Sequence, residues 1–85
     1  MTKQTPEDAF AISIADEIRA ELARQRKTAA DLAIVLGITQ HTMGRRLNGH
    51  TPFNMIEMSR IAEFLGISIK TILDRAERPV AAVAS

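Results

Sequence analysis

The sequence has no cysteine. Disulfides and thiolate metal sites are therefore excluded, and nothing points to an oxidising compartment. It has only three aromatic residues, all phenylalanine. A core must come from Ile, Leu, Val, Met and Ala, a composition that suits helices packed on helices. Proline occurs only at Pro6, Pro52 and Pro79, and each fits an element boundary. No apolar–polar alternation is long enough for a strand. No apolar run approaches the roughly 20 residues that span a bilayer. The opening MTKQTPEDAF is polar and acidic, unlike a signal peptide, so a cytosolic location is expected. What remains is one small domain of 85 residues.

The net charge is +1, a weak argument by itself for a polyanionic partner. Its distribution says more. Residues 1–23 carry Lys3 and Arg19 against Glu7, Asp8, Asp16, Glu17 and Glu21, a net of −3. Residues 24–50 carry Arg24, Arg26, Lys27, Arg45 and Arg46 against Asp31 alone, a net of +4. Residues 51–85 balance. A basic run of this kind is either a solvated face or the footprint of a nucleic acid.

Helix signals organise the chain. Thr5 can cap a first helix, with Pro6 at its first position and acids in its first turn. Phe10, Ile14, Ile18 and Leu22 form one stripe, and the helix is expected to run to about Gln25. The segment TAADLAIVLGITQHTMGRRLNG, residues 28–49, reads as two short helices joined by a tight turn. Leu32, Ala33 and Leu36 share the inner face of the earlier one. Gly37 stands where a chain leaving a helix takes positive φ. Thr39 can cap the next helix, which ends at Asn48-Gly49. After the loop 49–53, Asn54 and Glu57 form a capping box for a fourth helix. Met55, Met58, Ile61, Ala62 and Leu65 are its expected inner face, and Gly66 its end. Ser68 can cap a fifth helix that buries Ile69, Ile72 and Leu73 and stops at Arg78-Pro79. The domain is thus expected over 1–77, with 78–85 a flexible tail.

The second helix of the 28–49 pair carries the chemistry. Its exposed positions hold Gln40, His41 and Arg45, side chains suited to reading base edges in a major groove. His41 and His50 do not make a metal pair, because His50 falls on the far side of the helix. No nucleophile–base pair, phosphate-binding glycine loop or metal constellation is present, so neither an enzyme nor a cofactor is expected.

These residues carry a family resemblance. Asp31-Leu32-Ala33, Leu36-Gly37-Ile38-Thr39, Thr42-Met43, Leu47-Asn48-Gly49, Ile61-Ala62 and Leu65-Gly66-Ile67 stand in the order and spacing of the phage repressor/Cro type of helix-turn-helix protein, the Xre-like family. The resemblance covers roughly residues 18–74. It implies an all-α, compact five-helix lambda-repressor-like domain with the third helix in the major groove of a double-stranded operator. By position, Gln40, His41, Gly44 and Arg45 are the base-reading set. Lys27, Thr28, Thr39, Arg46, Asn48, His50 and Thr51 are the phosphate-binding set.

The sequence departs from that pattern at three places. Ala29 stands where the family often has a phosphate-clamping Gln. Gly44 lies inside the recognition helix at a propensity cost of roughly 1 kcal/mol; either the backbone approaches DNA closely there, or the position is merely small and exposed. Ile34 and Val35 occupy positions that are usually polar. Three readings cover that pair: a lid from the first helix around Phe10 and Ile14, a partner chain or second copy, or simple exposure. Other residues have plainer readings too. His41 can be an ordinary surface histidine, Thr42 can pack near the turn, and Arg46 can lay its stem on the core. Met43, Met55 and Met58 read as core.

The function expected is a sequence-specific transcriptional regulator, a repressor of phage immunity or Cro type, in a bacterial or phage-infected cytosol. The alternatives are an antitoxin that represses its own operon, and a protein-interaction domain whose helix-turn-helix no longer binds DNA.

Overall fold

The computed structural model describes residues 6–84, and side chains from 8 to 77. Thr5, the expected first cap, lies outside them. Five helices follow in order: α1 (Pro6–Arg24), α2 (Ala29–Leu36), α3 (Gln40–Leu47), α4 (Met55–Leu65) and α5 (Ile69–Ala84). The described residues contain no strand. No helix among them is long and apolar enough to cross a membrane.

Local chemistry sets the boundaries. Asn54 and Glu57 cap α4 reciprocally, as expected: the Glu57 amide donates to Asn54 Oδ1 at 2.8 Å, and the Asn54 amide to Glu57 Oε1 at 3.0 Å. Thr28 and Asp31 do the same for α2, a second capping box. Gly37 ends α2 at φ 69°, the left-handed region that its missing side chain permits. Ser68 Oγ accepts the Thr71 amide at 3.0 Å and so caps α5.

The core draws on all five helices. Ile18 and Leu22 of α1 meet Leu32 and Leu36, Met43 and Leu47, Ile61 and Leu65, and Ile72. Ile18, Leu32 and Ile61 are fully buried. The stripe on α1 is uneven, because Phe10 and Ile14 are only half-buried. α1 packs along α5, while α2 lies against α3 and α4. This leaves α3 with one face on the core and one free.

Three expectations are corrected. Met55 is not part of the inner face of α4: it is 70% exposed. As the first residue of the helix it overhangs the core, which α4 meets through Met58, Ile61, Ala62 and Leu65. Arg78-Pro79 does not stop α5, which continues to Ala84. Proline's fixed φ is compatible with a helix, and α5 continues past Pro79 without the one backbone hydrogen bond that proline cannot donate. The first helix does not cover Ile34 and Val35, which are 80% and 37% exposed. Phe10 and Ile14 instead line an apolar groove of about 410 Å³ with Pro52, Phe53, Met55 and Leu73.

Candidate nucleic-acid interface

α2, the turn at Gly37-Ile38 and α3 form the helix-turn-helix. Ile38 packs half-buried against the core and anchors the turn. Thr39 begins α3. Its hydroxyl accepts the Thr42 amide at 3.1 Å and donates to Thr42 Oγ1 at 3.0 Å. The Thr39 hydrogen is therefore spent inside the protein, and the Thr42 hydroxyl hydrogen is left available.

α3 has eight residues, and Met43 and Leu47 are buried. With 100° per residue, that pair fixes the orientation of the rest. His41 and Arg45, one turn apart, point away from the core together with Asn48. Gly44 lies beside them, and Gln40, which falls nearer the Leu47 side, is exposed as the first residue of the helix. Gln40, His41, Arg45 and Asn48 are exposed, and none has a side-chain hydrogen bond or ion pair among the described residues. A Cβ built on Gly44 would meet nothing within 4 Å. The packing of the protein itself does not require glycine there.

The helix ends in a shaped loop. Asn48 caps α3 at φ −88° and ψ 0°. Gly49 follows at φ 79°, and a Cβ there would come within 2.6 Å of Ile12 Cγ1 on α1. Backbone conformation and close approach both require glycine at this corner. His50 is exposed and Thr51 half-buried, and neither side chain has a partner among the described residues.

Other residues of the expected phosphate set are engaged internally. Lys27 Nζ donates to Phe64 O at 2.7 Å and lies 4.4 Å from the centre of the Phe64 ring. Arg46 donates to Pro52 O and to Glu57. Thr28 is exposed; its hydroxyl accepts the Asp31 amide at 3.0 Å and keeps its own hydrogen to donate.

The basic segment is accordingly less available than its charge suggests. Arg24 pairs with Glu17 and Glu21. Of its five cations, only Arg26 and Arg45 lack a partner among the described residues.

A seam between α1 and α5 accounts for Arg24. Arg75 reaches back to Glu21 Oε1 at 2.8 Å. Gln25 Nε2 donates to Glu21 Oε2 at 2.8 Å and to Leu65 O at 2.7 Å. The hydrogen bond from Gln25, with those from Arg24 and Arg75, holds the Glu21 carboxyl below the usual carboxylate range, against burial, which acts the other way. Sequence reasoning missed this cluster. Glu21 and Arg75 stand 54 positions apart, and only helix packing brings them together.

Chemically, the outward face of α3 offers an amide, an imidazole, a guanidinium and a second amide on a rigid element. Groups of these kinds are able to hydrogen-bond with base edges. The turn and loop around them offer hydroxyl and backbone donors. No curated protein and no solved structure matches the chain. The family model described as the BetR domain matches residues 6–82, nearly the whole of it. The chain therefore belongs to the BetR domain family, a family of small helix-turn-helix-like domains.

Proposed function

We propose that this protein is a sequence-specific double-stranded DNA-binding transcriptional regulator, a repressor of the phage repressor/Cro, Xre-like type. Membership of the BetR family points to a DNA-binding regulatory role. The observation that carries the finer reading is α3 itself. Its inner side is held by Met43 and Leu47, while Gln40, His41 and Arg45 stand exposed without internal partners. The exposed Arg19 and Arg24 are paired within the fold, whereas Arg26, Arg45 and Arg60 have no partner among the described residues. Arg45, left unpaired on an orienting helix, is suited to a guanine edge, and Gln40 to an adenine. Thr28, Asn48, His50 and Thr51 by side chain, and Thr39 by its backbone N–H, would fix the register through phosphates.

Titration of the protein with pooled duplex DNA at low and then raised salt tests the reading. The expectation is binding that weakens steeply with salt, together with a subset of sequences that survives the higher concentration. No binding at low salt contradicts it.

A second reading is favoured by Ile34, an 80% exposed isoleucine beside Val35. On that reading the pair is covered by a second copy of the chain or by a partner protein. Replacing both with Glu and Lys should then leave the fold intact and abolish the dimer, or cooperative occupancy of half-sites one DNA turn apart. Unchanged mass and unchanged cooperativity would count against it.

A further inference from the structure

We propose that Arg46 is a positioning residue: it holds the loop between α3 and α4 in the shape that presents His50 and Thr51, and is not itself a phosphate ligand. The inference deepens the DNA-binding reading and rests on it for its consequence at DNA.

The geometry is specific. Arg46 leaves α3 on the side next to the buried Met43–Leu47 pair, and its side chain is only 18% exposed. One terminal nitrogen, Nη1, donates to Pro52 O at 3.1 Å and to Glu57 Oε1 at 3.0 Å. The same Glu57 oxygen accepts the Asn54 amide at 3.0 Å. One carboxylate oxygen thus joins α3 to the first turn of α4, and the guanidinium also grips the backbone between them. Arg46 Nε is buried without a partner, so no outside group reaches it. At the other end of the loop, Gly49 is pressed against Ile12. The segment carrying His50 and Thr51 is therefore held at both ends, while their own side chains stay free. A phosphate approaching Arg46 would have to compete with a carboxylate that is already in place and only 10% exposed.

Arg46→Met keeps the aliphatic stem and removes both hydrogen bonds. Glu57→Gln keeps an oxygen for the Asn54 amide and removes the charge. Two measurements apply to each. The first is amide hydrogen exchange at His50 and Asn54 in the free protein. Exchange should accelerate in Arg46→Met while the Ile61 amide, in the core of α4, stays protected. The second is affinity for duplex DNA over a range of salt. Arg46→Met should bind about tenfold or more weakly, the scale of a lost charge-assisted hydrogen bond, with the salt slope unchanged. Glu57→Gln should also bind more weakly, and the double variant no worse than Arg46→Met. A direct phosphate ligand predicts the reverse pattern. The slope would fall by about 0.9 in Arg46→Met, and Glu57→Gln would bind more tightly, since a repelling carboxylate is gone. That pattern, or unchanged exchange at His50 and Asn54, overturns the proposal. If Arg46→Met fails to fold, the sign of the Glu57→Gln effect decides. If the wild type binds no duplex, the DNA-binding reading falls, and the exchange measurement still decides whether Arg46 holds the loop.

Discussion

Along the seam between α1 and α5, Glu17 and Glu21 meet Arg24, Gln25 and Arg75, and every one of these side chains has a partner. On the outward face of α3, Gln40, His41 and Arg45 have none among the described residues. Both regions are rich in polar groups, and a charge count does not separate them. Arg24 and Arg45 belong to the same net-positive stretch of sequence, yet one is spent on the fold and the other is not. Charge becomes a guide to function only after the pairs internal to the fold are subtracted.

Several perturbations break or sharpen this contrast. The largest effect is expected in the core that both regions share. Leu32→Ala or Ile61→Ala removes a fully buried side chain and should cost roughly 2–5 kcal/mol in denaturant unfolding, enough to threaten a domain this small. A loss under about 1 kcal/mol, well below the range for such a truncation in a core, would mean that the packing is looser than described.

The seam comes next. Arg75→Met should destabilise by about 1 kcal/mol, because it takes a charge-assisted hydrogen bond from Glu21 while part of the site stays solvated. Affinity for DNA should not change in the folded protein. A loss of binding at wild-type stability would place the seam in the interface and erase the contrast.

Gly44→Ala is expected to act in the opposite direction. The added methyl meets nothing within 4 Å, so the helix should gain up to about 1 kcal/mol. Titration with duplex DNA then separates the two meanings of this glycine. Weaker binding by a more stable protein assigns it to close approach by DNA, and unchanged binding to a bare surface position.

The smallest effect is the dependence on pH. The Glu21 carboxyl titrates lower in the folded protein than in the unfolded chain. Its contribution is therefore complete above the unfolded value of about 4.3 and is lost as pH falls through the folded one. Glu21→Gln should flatten the stability curve in that acid window and leave its shape near neutrality unchanged. An identical acid limb in the variant would remove Glu21 from the account.

Much of the fold was legible because it rests on rules that act within a few residues. Thr39, Asn54 and Ser68 cap the helices that they precede, and Gly37 takes the left-handed backbone that its position requires. The apolar spacing of Leu32, Ala33 and Leu36 foretold their burial. The exposed face of α3 was legible for the same reason, since it is the complement of Met43 and Leu47. What escaped depends on distance between helices. Periodicity does not reveal that Lys27 reaches Phe64, that Arg46 reaches Glu57, or that Arg75 reaches Glu21. Each of these engagements changes which cations are free to meet a ligand. The position of Ile34 was likewise open, because helical spacing said that it leaves the core face and not what lies beyond.

The central claim is that the outward face of α3 reads DNA sequence. Its most direct test is selection of bound duplexes from a random pool, run in parallel with the wild type and with Arg45→Ala. Arg45 is exposed and without a partner, so the variant should keep its melting temperature. It should bind the preferred site about 1–3 kcal/mol more weakly and lose preference at one or two base positions while keeping the others. A folded variant that selects the same sequences with wild-type affinity would contradict the claim.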